Sequence, residues 1–88
     1  MLSGQNVTPL HKACIFGHLA IVKKLIETGA KINDADGNGD TPLHYAARCG
    51  FPSIVKFLLE SNALQAKNGA GLGPKECAAN AAVLQLFQ

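Results

Sequence analysis

One segment of this 88-residue chain occurs twice, 33 residues apart. When Thr8–Ala30 is aligned with Thr41–Ala63, 12 of the 23 positions are identical, and the longest shared run is TPLH. A fixed period of this length is the signature of a solenoid, in which a unit cannot bury its apolar side alone and needs a neighbouring unit to cover it. The sequence therefore predicts a stack of small units.

A third, degraded copy follows at a shift of 32 residues. Asp36–Ala47 aligns with Asn68–Ala79, which keeps two glycines, the proline and two alanines. Upstream of the first copy, Asn6 stands where the second copy has Gly39, and Asn is among the residues that best tolerate a positive φ. We predict a single domain over residues 1–88, divided into a first repeat at about 3–35, a second repeat at about 36–67 and a degenerate C-terminal capping repeat at about 68–88.

Each unit is predicted to begin with a short helix that follows a threonine and a proline. Thr8 is a typical N-cap, and Pro9 suits the first helical position because its missing N–H would be unbonded there in any case. Gly17 is a typical C-terminal residue, so the first helix is expected from Pro9 to about Phe16. The second unit repeats this helix over Pro42–Cys49.

A second helix is predicted in each unit, over about His18–Thr28 and Pro52–Ser61. In the first unit, the apolar residues follow the spacing that buries one face of a helix. They are Ile21, Val22, Leu25 and Ile26. Asn62 takes the helix-terminating place that Gly29 has in the first unit.

The repeated histidines, His11 and His44, fall at the third helical position, where a side chain can bond back to the N-cap residue. The third copy has Glu76 at this place, which is the usual residue of a capping box. A position that accepts either histidine or glutamate at a helix start indicates capping. We therefore predict that both histidines are structural.

These motifs closely resemble those of the ankyrin repeat family, over about residues 3–87. They are TPLHxA twice at a 33-residue spacing, Gly-His between the helices, I-V-x-x-L-[LI] in the second helix and Gly-Ala before the turn. The resemblance implies an all-α ankyrin-repeat solenoid, built of stacked helix–turn–helix units joined by β-turn fingers. It also implies a non-catalytic protein–protein interaction module that binds a partner on the concave helix face and the finger tips.

The resemblance also places the partner-binding candidates, in the turns and late in the first helices. They are Lys12, Ile15, Phe16, Asn38, Asp40, Tyr45, Arg48 and Cys49, with Gln5, Val7, Gly37, Ala70 and Leu72 at further exposed positions. Aromatic and arginine side chains dominate interface hot spots, which favours Phe16, Tyr45 and Arg48. The alternative is that the two aromatic side chains pack between repeats and that Arg48 is a solvated charge.

Two expectations about binding follow. An acidic finger formed by Asp34, Asp36 and Asp40 would favour a basic feature on the partner. Replacing Tyr45 or Arg48 by alanine would weaken binding by about 1–2 kcal/mol and leave the fold intact. The resemblance also places Asn33 where ankyrin repeats are often hydroxylated.

Metal and catalytic sites are less favoured by the sequence. Asp34 begins a run that imitates a calcium loop, but the twelfth position is Tyr45 instead of a glutamate. Cys14 and His18 have the spacing of a ligand pair, yet Gly17 breaks the helix between them. A cysteine nucleophile would need a base and a pocket that the sequence does not indicate. We expect no metal, no cofactor and no catalytic residue.

Composition limits the class of partner and the compartment. The formal charge is +2 and the basic residues are scattered, which does not favour nucleic acid or a membrane as a partner. Three cysteines without a CxxC pair suggest reduced thiols and a cytoplasmic or nuclear protein. The partner is therefore expected to be a protein of unknown identity. The alternative is a structural spacer or end-cap within a larger multidomain protein, next to further repeats or domains and without a ligand of its own.

Overall fold

The structure is a computed structural model that describes residues 6–87. Helices and turns make up the secondary structure of this range, which contains no β-strand. The helices are α1 Pro9–Phe16, α2 Leu19–Glu27, α3 Pro42–Cys49, α4 Pro52–Glu60 and α5 Ala81–Gln85. The predicted all-α architecture of paired short helices is therefore confirmed. The predicted start of the first repeat, residue 3, and the candidate Gln5 lie outside the described residues.

Helices α1 and α3 begin and end as their sequences predict. The N-cap residues Thr8 and Thr41 are extended, and each side chain accepts a hydrogen bond from the backbone of the third helical residue. At the other end, Gly17 and Gly50 have φ values of 76° and 77°, in the left-handed region that glycine adopts without strain. Local chemistry is thus sufficient to set both helix boundaries.

Helices α2 and α4 also match their predicted ranges, except at the ends. His18, Thr28 and Ser61 are cap residues instead of helical residues. Asn62, with φ of 71°, replaces Gly29 at the end of the second unit, and Asn6, with φ of 62°, replaces the finger glycine of the first. Both asparagine substitutions are confirmed as residues that accept a left-handed backbone.

The burial predicted for the apolar stripe of α2 is only partly right. Val22 is fully buried, and Leu25 and Ile26 are half-buried, but Ile21 is 49% exposed. The equivalent residue of α4, Ile54, is 2% exposed. The prediction for Ile21 is wrong because its burial depends on a unit packed against the N-terminal side of the repeat.

The core lies between successive repeats, where α1 packs on α3 and α2 packs on α4. Its buried apolar members are Leu10, Ala13, Cys14, Val22, Leu43, Ala46, Ala47, Ile54, Val55, Leu58 and Val83. The small alanines let α1 and α3 approach each other closely, and larger branched side chains fill the space between the other helices.

The third repeat is reduced. Residues 74–77 form a turn in place of a first helix, and α5 has five residues. The Ala79 N–H donates to the Ala47 carbonyl at 3.0 Å, which ties the third repeat to the second. Asn80 caps α5 through Val83 N–H, and Val83 itself is fully buried. This segment therefore covers one end of the core with few residues.

Candidate interaction surface

His11 links the start of its own helix to the next repeat. Its Nδ1 accepts a hydrogen bond from Thr8 N–H at 3.0 Å, so the ring proton is assigned to Nε2. Nε2 then donates to the Asp40 carbonyl at 2.9 Å. The ring is fully buried and both of its nitrogens are bonded, so it stabilises the stack and leaves no lone pair for a reaction.

His44 repeats this arrangement one unit further along. Nδ1 accepts from Thr41 N–H at 3.1 Å, and Nε2 donates to the Leu72 carbonyl at 2.9 Å. In the third repeat, Glu76 Oε1 accepts from Gly73 N–H at 2.8 Å, which is the capping bond without the link to a further unit. The prediction that these three positions are structural caps is confirmed.

The two fingers are the loops that precede α3 and the turn at residues 74–77. Asp36 and Asn68, which are equivalent in the repeat, determine their shape. In the first finger, Asp36 Oδ1 accepts from the N–H groups of Asn38 and Asp40 at 2.9 and 3.0 Å. In the second, Asn68 Oδ1 accepts from the N–H groups of Ala70 and Leu72 at 2.9 and 3.0 Å. One side-chain oxygen thus closes each turn, and the two fingers have the same local fold.

A network of polar side chains joins the first finger to α3. The Tyr45 hydroxyl donates to Asp36 Oδ2, and its ring meets the His11 ring edge-on at 5.5 Å between centroids. Arg48 forms a bidentate pair with Asp40, at 3.0 and 3.3 Å, and its guanidinium lies over the Tyr45 ring. Two of the predicted binding residues, Tyr45 and Arg48, are therefore bonded to aspartates of the first finger.

The pKa values of the network reflect these bonds. Burial alone would raise the pKa of Asp36, but the Tyr45 hydroxyl and two backbone N–H groups hold it below its ordinary value. Burial and the bond to Asp36 raise the pKa of the Tyr45 hydroxyl. The bond to Asp40 raises the pKa of Arg48 further. The charged forms of Asp36 and Arg48 are thus the ones that the network stabilises.

The expected exposed acidic finger is wrong for two of its three aspartates. Asp36 and Asp40 are only 7% and 5% exposed, and their carboxylates are engaged within the chain. Asp40 also accepts from Asn68 Nδ2 at 2.8 Å. Tyr45 and Arg48 each bond to one of these carboxylates, and the expectation that loss of either side chain leaves the fold intact stays a prediction.

A groove of about 640 Å³ lies between the two fingers and the end of α3. It is lined by Gly37, Asn38, Gly39, Asp40, Arg48, Asn68, Gly69, Ala70 and Leu72. Three of the eight candidates predicted from the sequence, Asn38, Asp40 and Arg48, therefore meet in one place. The fingers touch along its floor, where Gly69 N–H donates to the Asn38 carbonyl at 2.9 Å.

The remaining candidates lie elsewhere. Lys12 and Phe16 line a smaller cavity of about 300 Å³ on the N-terminal side of repeat 1, together with Val7, Pro9, Ala13, His18 and Ile21. Phe16 is 66% exposed. Ile15 is half-buried and Cys49 is exposed, and neither lines these two cavities. The eight candidates thus do not form one continuous site.

The family model for ankyrin repeats (many copies) matches residues 3–59. The chain belongs to the ankyrin repeat family. No curated protein matched the chain. Ankyrin repeats are generally protein–protein interaction modules and are typically non-catalytic. The resemblance noted from the TPLH motifs is therefore confirmed, and the geometry above is that of successive ankyrin units.

In this ankyrin chain, His11, His44 and Cys14 are fully buried. Across residues 6–87, no cluster of three or more His, Cys, Asp or Glu side chains could hold a metal ion. Burial and the nearby Cys49 raise the pKa of the Cys14 thiol to about 12, which makes it a poor nucleophile. None of the helices in the same range is long and apolar enough to cross a membrane.

Sequence reasoning missed Asn68, which closes the second finger and also binds Asp40. The signal was available, because Asn68 aligns with Asp36 at the 32-residue shift. Asn33, the position that the resemblance associates with hydroxylation, is exposed, and its Oδ1 accepts from Leu64 N–H at 2.8 Å. Its amide therefore joins the first unit to the second.

Proposed function

We propose that this ankyrin chain binds a segment of a partner protein in the groove between its two fingers. The observation that carries the proposal is the groove itself, which has a volume of about 640 Å³. Its shape is fixed by the bond from Arg48 of α3 to Asp40 of the first finger and by the bond from Asn68 of the second finger to the same aspartate. A site that is ordered before binding loses little conformational freedom when a partner docks. The general role of ankyrin repeats in protein binding supports the same assignment.

The groove offers a partner both backbone and side-chain contacts. Gly37 is exposed and carries no side chain, so an incoming segment can approach the finger backbone closely at this residue. At Gly39 and Gly69 the missing side chains instead let the two fingers contact each other. Leu72, which is 41% exposed, supplies an apolar contact at one side. Arg48 is 43% exposed, so its guanidinium can meet a partner while it remains paired with Asp40.

A test of the proposal uses residues that line the groove without holding the fold. Asn38 is exposed, and only its backbone takes part in the finger hydrogen bonds. Ala70 is exposed on the second finger. We expect Asn38→Arg combined with Ala70→Arg to fill the groove and weaken partner binding by about 1–2 kcal/mol or more. Isothermal titration of a captured and purified partner would measure this.

The matched control is Lys24→Ala, because Lys24 is exposed on α2 and lies outside the groove. It should bind the same partner with unchanged affinity, and all variants should keep the thermal unfolding midpoint of the parent chain. Equal affinity for the groove variant and the parent would contradict the proposed site. A structural spacer without a ligand would show no binding that either substitution alters.

A further inference from the structure

Two carboxylates of the first finger are occupied within the chain. Asp36 accepts from two backbone N–H groups with Oδ1 and from the Tyr45 hydroxyl with Oδ2. Asp40 accepts from Arg48 and Asn68 with Oδ1 and from Arg48 again with Oδ2. Every oxygen of these two side chains therefore has a donor, and neither residue is more than 7% exposed. A basic group of a partner would have to displace one of these bonds.

The charge that the groove presents to a partner is positive. Among the residues that line it in the described part of the chain, Asp40 and Arg48 are the charged ones. The side chain of Arg48 is 43% exposed, whereas that of Asp40 is 7% exposed. The third aspartate of the finger, Asp34, lines a separate cavity of about 300 Å³. An incoming segment therefore meets the cationic end of the ion pair.

Arg48 also has donors that its bonds within the chain leave over. The bonds to Asp40 and Cys77 use both hydrogens of Nη2 and one hydrogen of Nη1. Across residues 6–87, the Nε–H and the second Nη1–H of this guanidinium have no acceptor. The N–H groups of an arginine form a planar fork, so one side chain can bind a second carboxylate beside the first.

Two other groups of the first finger are also donors without an acceptor. The Gly37 N–H and the side-chain amide of Asn38 form no hydrogen bond within residues 6–87, and both residues are exposed and line the groove. A carboxylate is an acceptor with two oxygens, so it can accept from Arg48 and from one of these groups together. A lysine or arginine of a partner carries only donors and can accept from none of them.

We propose that the partner segment presents an aspartate or glutamate to the groove, and that its carboxylate binds the free N–H groups of Arg48. This inference rests on the proposed function, because it names the partner chemistry of the same groove. It replaces the basic partner that the acidic finger suggested from the sequence. Asp40 repels an incoming carboxylate less than a free aspartate would, because its charge is already paired with Arg48.

Selection from a displayed library of random peptides tests the two proposals separately. The full chain is the target, and the counter-target combines Asn38→Tyr with Ala70→Tyr, which fills the groove without adding charge. We expect the peptides that bind the parent but not this variant to carry aspartate or glutamate. If no such groove-dependent peptide is obtained, the proposed function fails, and the inference fails with it. Groove-dependent peptides that carry only basic or uncharged residues would overturn the inference alone.

The selected peptide supplies a matched control. Replacing its glutamate by glutamine, or its aspartate by asparagine, removes the charge and leaves the ankyrin chain untouched. Isothermal titration should show that this change lowers the affinity at least about fivefold, a value that allows for the exposure of Arg48. Added salt should weaken binding of the acidic peptide and barely affect the amide peptide. Equal affinities for the two peptides would overturn the inference and leave the groove assigned.

Nuclear magnetic resonance would identify the residue that receives the carboxylate. Arg48 is the only arginine of the chain, so its Nε–H resonance is unambiguous. The acidic peptide should shift this resonance more than the amide peptide does. Lys67, which is exposed next to Asn68, is the competing cation, and Lys67→Gln should leave the affinity for the acidic peptide within about twofold. An unmoved Arg48 resonance, or a larger loss with Lys67→Gln, would place the carboxylate elsewhere and overturn the inference.

Discussion

The link that His44 makes between repeats can be tested by its removal. His44 is fully buried, accepts from the Thr41 N–H and donates to the Leu72 carbonyl. His44→Ala leaves the Thr41 N–H, which is also buried, without its ring acceptor. The internal control is Glu76→Ala, since Glu76 caps its turn in the same way but is exposed and bonds to no further unit.

The magnitude follows from these bonds. An unsatisfied buried N–H costs about 1–3 kcal/mol, and the lost bond to the Leu72 carbonyl adds about 1 kcal/mol, since water can reach that exposed residue. The sum, about 2–4 kcal/mol, is a large part of the roughly 4–13 kcal/mol expected for a chain of this length. Glu76→Ala should cost only about 0.5–1 kcal/mol, because it removes a part-buried cap and no bond to a further unit.

Urea unfolding followed by circular dichroism would give both free energies. His44→Ala should lower the free energy of unfolding by at least about 1 kcal/mol more than Glu76→Ala does. If the two variants cost the same, the bond between repeats contributes nothing measurable, and the histidine would be only a local cap. His44→Gln should recover part of the loss, because its amide can accept at the N-cap.

Two other predictions concern the contact between Gly17 and the Phe51 ring, and the buried carboxylate of Asp36. Gly17→Ala and Gly71→Ala place alanine at nearly the same φ, 76° and 80°, but only the first puts a Cβ against an aromatic ring. Urea unfolding should therefore show Gly17→Ala to be the more destabilising by about 1 kcal/mol or more, and equal losses would contradict the close contact. The pKa of Asp36 is lowered by folding, so its charge stabilises the fold near neutral pH, and this contribution is lost as the pH falls below about 4. Asp36→Asn should reduce stability at pH 7 and weaken its dependence on acid pH, whereas an unchanged acid profile would contradict the role of the charge.

The sequence was sufficient to predict the helix ends and the left-handed turn residues, because both depend on residues close by in the chain. Threonine, proline and glycine set the ends of α1 and α3, and the left-handed φ of Asn6 and Asn62 could be predicted from alignment alone. Ile21 could not be placed, because its exposure depends on whether another unit covers it. The helical spacing of apolar residues identifies a face that can be buried, and says nothing about the presence of a neighbour.

The candidate site was harder to predict, because its polar groups find partners far along the chain. Asp40 is bonded to Asn68, 28 residues away, as well as to Arg48 on α3. A sequence motif shows that a finger is acidic, but only the fold shows that this charge is neutralised within the chain. The family resemblance placed six of the nine residues that line the groove, but Gly39, Asn68 and Gly69 were not among its candidates, and it did not indicate which residues hold the fingers together.

The network also changes how a binding experiment on this chain should be interpreted. Arg48 and Tyr45 have the chemistry of hot spots, yet each also holds a buried carboxylate of the first finger. Truncation of either side chain would therefore displace the finger, and a loss of affinity would not distinguish a lost contact from a displaced groove. Asn38 lacks this ambiguity, because its side chain is exposed while its backbone carries the finger bonds. Weakened binding by the variant that combines Asn38→Arg with Ala70→Arg would therefore assign the groove without this ambiguity, whatever Arg48→Ala does.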